Sequence, residues 1–290
     1  KEKGEKYDSR IKSKELFCIS KSNCVFFGSF NKTTAIYGPN NVGKSCLIKC
    51  IQAMKDILLN KKVKLTSNLF SNNSICELGI TFLYRDMKYS YDIKYDTKLN
   101  QFIYESLTSK DIILYKRDLL NQIFDCKDEE TKKFMFYMVS DNVLFHVMNT
   151  EYMKNIKDVF VSFAHTMDII STTQWNGSSG AEKLISLLKH IEPQRILIVD
   201  NLDDGLDFGV VNMILEMSTS SQLIFVAYNT SISNCDEYWF IHRENENVYV
   251  YSFDNIDSVM ELYKEGMISA ISEPSLIESL IDLKRFKCSN

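Results

Sequence analysis

The sequence predicts an α/β fold, with a core interrupted by an antiparallel β lobe and an inserted helical lobe. Three observations predict it. A glycine-bearing loop, "GPNNVGKS" (38–45), stands between a β-branched run and a helical run. A block from 75 to 108 alternates apolar and polar residues, with gaps too short for crossover helices. Later, "RILIVD" (195–200) and "QLIFVAYN" (222–229) have the apolar runs of buried strands.

The loop comes first because its residue types state a chemistry. Gly38, Gly43, Lys44 and Ser45 satisfy G-x-x-x-x-G-K-[ST], which a chain of this length meets by chance about once in a hundred cases. "TTAIY" (33–37) reads as the strand before it, and Leu47, Ile48, Ile51, Met54, Ile57 and Leu58 recur at helical spacing after it. The glycines let successive backbone N–H groups face an anion, and the helix adds its positive end. Lys44 can reach β and γ phosphates, and the Ser45 hydroxyl can ligate Mg²⁺. The pattern predicts a phosphate-loop nucleotide site for ATP and Mg²⁺.

The remaining elements follow in order. Residues 1–15 are charged and aperiodic, and are expected to be a leader or tail. "LFCISKSNCVFFGSFNKTTAIYG" reads as two or three short strands ending at the loop. In the antiparallel block, turns are expected at Arg85-Asp86 and at 96–100. From about Lys110 to Thr172 the periodicity is helical, with acidic starts on "DEETKKFMFYMVSDNVLFHVM" and "TEYMKNIKDVFVSFAHTMDII". "YWFIHRENENVYVYSF" predicts a hairpin turning at 244–247, and the stretch after it is mostly helical. His146, His165 and His190 fall in helix-like segments and are expected to be structural.

Composition excludes several classes. With 45% hydrophobic residues in 290, the chain can bury a sizeable core. A net charge of −4 supplies no global attraction to nucleic acid. Eight cysteines without a C-x-x-C pair suit a reducing, cytoplasmic setting rather than a zinc site. No apolar run reaches transmembrane length and no secretory signal is seen, so no membrane partner is expected.

Two further motifs extend the loop's reading. "RILIVDNLDDGLD" delivers Asp200 at the end of an apolar strand, where it can hold Mg²⁺ through water while Ser45 ligates the ion directly. "NGSSGAEKLISLL" (176–188) places a small-residue cluster at the start of an amphipathic helix, a second anion-binding helix end.

In this order, "YGPNNVGKS", "SSGAEKLISLL", "ILIVDNLDDGLD" and "QLIFVAYNTS" resemble the ABC-type ATPase domain shared by RecF, SMC and the overcoming-lysogenisation-defect proteins. Within that group the chain is most similar to compact AAA-family ATPases of bacterial anti-phage systems. "KYSYDIKYDTKLNQFIYESL" resembles their antiparallel lobe, and "ELYKEGMISAI" the segment that closes their domain. The resemblance implies a P-loop NTPase fold, an ABC-ATPase head with a RecA-like core. It implies one domain over 16–271, with core at 16–60 and 190–255, β lobe at 61–109 and helical lobe at 110–189. A helical extension would fill 272–290.

By position, the resemblance implies that Gly38, Asn40, Asn41, Gly43, Lys44, Ser45 and Cys46 bind the nucleotide, and that Ser45 and Asp200 hold Mg²⁺. Ser179 and Gly180 would reach across an ATP-dependent homodimer to the opposite γ-phosphate. Residues 203–207 would form the loop through which the two sites sense one another. The family's catalytic Glu is replaced here by Asn201, and its switch His by Tyr228. An amide orients water but does not take its proton, and loss of a general base costs about two to four orders of magnitude in rate. The resemblance therefore implies a slowly hydrolysing, nucleotide-gated dimerisation switch that controls a separate effector, a nuclease or toxin, in anti-phage defence. The alternatives are a RecF- or SMC-like DNA-repair ATPase that contacts nucleic acid, and a degenerate ATP-binding scaffold. A transporter motor would need a fuller signature and a catalytic Glu.

Overall fold

The computed structural model describes residues 9–14, 23–27, 32–39, 42–63, 65, 74–110, 112–137, 141–171, 180–228, 232, 234–244 and 247–253. These form two sheets. Strands β3 (Thr33–Tyr37), β9 (Met167–Ile170), β10 (Ile196–Val199), β11 (Gln222–Val226), β12 (Glu237–Glu244) and β13 (Asn247–Phe253) make a six-stranded sheet in the order β13-β12-β3-β11-β10-β9. All its pairings are parallel except the β12–β13 hairpin. The second sheet is antiparallel and seven-stranded, in the order β2-β1-β4-β5-β6-β7-β8. Its strands are β1 (Ser9–Lys14), β2 (Asn23–Phe27), β4 (Ile75–Tyr84), β5 (Met87–Asp96), β6 (Gln101–Ser109), β7 (Ile112–Asp118) and β8 (Ile123–Cys126).

The parallel sheet is covered on both faces, which is why its central strands β10 and β11 read as apolar runs. Along β3, Ile36 points to one core with α1 (Lys44–Leu58), while Ala35 and Tyr37 point to the other. The first core also takes in Leu78, Ile80 and Phe82 of the antiparallel sheet and Phe160 and Phe163 of α4 (Glu151–His165). The second core is closed by Leu187 of α5 (Gly180–Leu188) and by Val211, Ile214 and Leu215 of α6 (Phe208–Met217). Helix α1 thus lies between the two sheets, with Leu47, Ile48, Ile51, Met54, Ile57 and Leu58 all buried. Each such side chain contributes about 1.5–3 kcal/mol, so the loop at its N-terminus is anchored on a rigid body.

The mixed α/β architecture, with a parallel and an antiparallel sheet, agrees with the sequence reading. The turns at Arg85-Asp86 and 96–100 occur as expected; Arg85, Asp86 and Asn100 adopt positive φ. Besides the end of the last helical stretch, where Met167–Ile170 is strand β9 of the parallel sheet and pairs with β10, three expectations are corrected. First, part of the expected leader is a strand: β1 pairs with both β2 and β4. Its sequence alternates Ser9, Ile11 and Ser13 with Arg10, Lys12 and Lys14, a two-residue period carrying too few apolar residues to stand out.

Second, 112–126 is a hairpin and not a helix. Its Ile and Leu spacing imitates a helical stripe, but Arg117 faces Glu105 across the β6–β7 ladder, with both side chains fully buried. Glu105 also accepts from the Tyr91 hydroxyl at 3.1 Å, the Tyr115 hydroxyl at 3.4 Å and the Leu144 N–H at 3.0 Å. Third, the single helix expected from 128 to 148 is two: α2 (Glu129–Met135), capped by Asp128, and α3 (Leu144–Val147). The Leu144 N–H, turned to Glu105, begins the second. The helical stretch expected after 253 and the segment resembling a domain closure lie outside the described residues.

His146 is structural, as expected: its Nε2 lies 3.0 and 3.1 Å from the Ile57 and Leu58 carbonyls, near the C-terminus of α1. Burial pushes its pKa below the usual 6.5. Protonation therefore favours the unfolded chain, so its contribution is present above about pH 6.5 and is lost as pH falls towards the lowered folded value. Thermal unfolding of His146→Gln should lose less stability than wild type between pH 7.5 and 5.5; parallel curves would remove His146 from the acid response.

Candidate functional site

The site sits at the C-terminal ends of β3, β10 and β11. Strand β11 lies between the other two, so the chain leaving it through Ala227 carries Tyr228 towards the 38–45 loop and the Asp200 carboxylate.

Two glycines shape the loop. Gly38 has φ 152°, and a Cβ there would collide with the Ile241 carbonyl oxygen of β12. Gly43, at φ 112°, is the N-cap of α1 and supplies no side chain to cap it. The first N–H groups of α1 are therefore free of a side-chain acceptor from their cap, and they carry the helix's partial positive charge.

Lys44 is 4% exposed. Its Nζ donates to the Gly38 carbonyl at 2.6 Å and the Pro39 carbonyl at 2.7 Å. It also lies 4.5 Å from the Tyr228 ring centroid. Burial lowers its pKa to about 8, against the pull of Asp200 and Asp203. The ammonium is thus held by neutral dipoles that an anion could replace at a profit, because an ionic acceptor makes the stronger hydrogen bond.

Ser45, in the first turn of α1, donates its hydroxyl to Asp200 Oδ1 at 3.2 Å, although the two are 155 residues apart. Asp200 is 6% exposed, and burial raises its pKa despite Ser45, Lys44 and Lys49. A buried carboxylate with one hydroxyl donor is a fitting half-shell for a divalent cation, which would compensate its desolvation.

Asn201 follows at φ 54°, a left-handed conformation that asparagine tolerates better than most residues. Beside it stands Tyr228, whose hydroxyl pKa is pushed up by burial and the nearby Asp200 and Asp203. Asn201 Oδ1 is buried without a partner among the described groups. An orphaned acceptor of this kind suits a bound water.

The loop after Asp200 has two attachments. Asp203 Oδ2 accepts from the Tyr228 N–H at 2.9 Å. One residue on, the Asp204 carbonyl accepts from Lys183 Nζ of α5 at 2.6 Å. Gly180 abuts the same loop: a Cβ on it would lie 2.9 Å from the Gly205 carbonyl oxygen.

The structure thus brings Gly38, Gly43, Lys44, Ser45, Asp200, Asn201 and Tyr228 together. Cys46 is the third residue of α1, half-buried. Gly180 begins α5 and packs on Gly205 of its own chain. Asn40, Asn41 and Ser179 lie outside the described residues. Sequence reasoning missed Lys183, although a signal existed: it takes the buried position one turn before Leu187 on an otherwise amphipathic helix.

No family model matches the chain, and no curated protein matches it. Among solved structures it is similar to an SMC head bound to the C-winged helix domain of ScpA, at 16% identity and TM-score 0.49, over 88% of this chain and 99% of that one. The SMC head domain from Thermotoga maritima gives 12% and 0.44, over 85% and 98%. The recombination mediator RecF with ATP gives 9% and 0.42, over 86% and 99%. Among the described residues, no helix is long and apolar enough to cross a membrane.

Proposed function

We propose that this chain binds ATP and Mg²⁺ at the 38–45 loop and works as an ABC-type ATPase switch. The Ser45–Asp200 hydrogen bond carries the reading, because it unites loop, helix end and strand-end carboxylate in one shell. In this reading Lys44 exchanges the Gly38 and Pro39 carbonyls for phosphate oxygens, and the α1 N–H groups take the remaining charge. Ser45 and Asp200 would hold Mg²⁺, which neutralises phosphate charge when bound.

The switch is a homodimer in which Gly180 and Ser179 of each copy face the other's nucleotide. The 203–205 loop, fastened to both Tyr228 and Lys183, supports a mechanical link between the nucleotide and α5. Hydrolysis is slow, since Asn201 offers a water no base. The output is control of a separate effector protein, a nuclease or toxin, in anti-phage defence; that last step rests on the resemblance alone.

Light scattering with simultaneous phosphate release tests the reading. Wild type should double its mass with ATP–Mg²⁺ and release phosphate slowly. Asn201→Glu should release it at least about tenfold faster, short of the full benefit of a base because glutamate at a left-handed position is strained. Unchanged mass and no turnover in both proteins would leave at most a structural nucleotide.

A further inference from the structure

Tyr228 combines features that a passive wall residue does not need. It is 50% exposed, yet its ring lies 4.5 Å over the Lys44 ammonium. Its backbone N–H is pinned to Asp203 Oδ2 at 2.9 Å, which fixes the chain that carries the ring. Between them, the ring and the two loop carbonyls cover the ammonium on several sides.

We infer that Tyr228 is a cap that competes with the nucleotide for Lys44, so that its ring must be displaced before a phosphate can pair with the ammonium. The inference rests on the nucleotide-binding reading above. Cation–π attraction is electrostatic and gains strength where the cation is desolvated. Lys44 is buried, so the contact is of the stronger kind. A phosphate oxygen is the better partner for the ammonium and replaces the ring, but part of its binding energy goes into breaking the contact.

The cap also confers selectivity. Lysine at this place in the motif serves β and γ phosphates. A ligand without a β-phosphate leaves the cap in place and neither suffers nor benefits from it. Removing the ring should therefore help ATP and ADP and leave AMP alone, a split that general loosening of the site would not produce.

The experiment is equilibrium and stopped-flow binding of ATP, ADP and AMP, each with Mg²⁺, to the full chain as wild type, Tyr228→Ala and Tyr228→Phe. Circular dichroism and thermal melts confirm that each protein is folded. The expected result is that Tyr228→Ala tightens ATP and ADP by roughly three- to thirtyfold, the range of a cation–π contact. The gain should appear in the association rate, with AMP unchanged. Tyr228→Phe, which keeps the ring, should stay within about threefold of wild type. If Tyr228→Ala weakens ATP, the residue holds the ligand and the cap is wrong. If all three ligands are unaffected, or all tighten alike, the cap is equally wrong. Failure of wild type to bind any of them would instead sink the nucleotide reading, and the cap with it.

Discussion

Lys44→Ala is expected to weaken ATP binding about a hundredfold or more while leaving the protein folded. A hydrogen bond to a charged group is worth about 1.5–3 kcal/mol, and Lys44 stands to make at least one to each of two phosphates. A factor of ten corresponds to about 1.4 kcal/mol, so even partial loss of both contacts reaches that figure. In the empty protein, the substitution removes the donor from the Gly38 and Pro39 carbonyls. Gly38 is half-buried rather than sealed, so water can take the vacated place. Calorimetric titration with ATP–Mg²⁺ is the check, with Tm recorded alongside. An affinity within about threefold of wild type would mean that the ammonium does not anchor phosphate, since a lost charged contact costs more than that.

Arg117→Met is expected to cost about 3–5 kcal/mol of stability, because it leaves Glu105 as a buried charge without its cation. Both side chains are fully buried, and Arg117 also holds the Phe102 carbonyl at 3.2 Å. A loss of this size is a large fraction of the 5–15 kcal/mol typical of folded domains. Glu105→Gln combined with Arg117→Met should recover part of the loss. The amide needs no counter-charge and still accepts from Tyr91, Tyr115 and the Leu144 N–H. Urea unfolding of the three proteins decides it. If the double variant is no more stable than Arg117→Met, uncompensated charge is not the cause.

The sequence made local features legible and long-range ones obscure. The 38–45 loop, its strand and its helix carry their own signals: β-branched residues, two glycines, and a stripe at helical spacing. The Asp200 strand end and the 244–247 hairpin were readable for the same reason. The extent of the antiparallel sheet was not. Residues 112–126 have helix-like spacing and become strands because buried Glu105 takes a partner from β7, a pairing no local window contains. Likewise, Asn201 and Tyr228 could be singled out as unusual residue types. Their closeness, and the ring's place over Lys44, depend on β11 lying between β3 and β10.

That strand order has a consequence for how the protein is made. Strand β3, with the loop beyond it, is flanked by β11 and β12, and Thr33 is bonded to Asp236, 203 residues further on. On the ribosome, the loop therefore emerges beside a strand that is fully buried in the folded protein and whose two neighbours are made only when translation reaches β11 and β12. Contacts so distant in sequence form slowly and leave unpaired edges exposed meanwhile. A ligand of the proposed site cannot guide the early stages of assembly, since Asp200 and the strands that shape Gly38 do not yet exist. Synthesis delivers the 38–45 loop first and the sheet that gives it shape last.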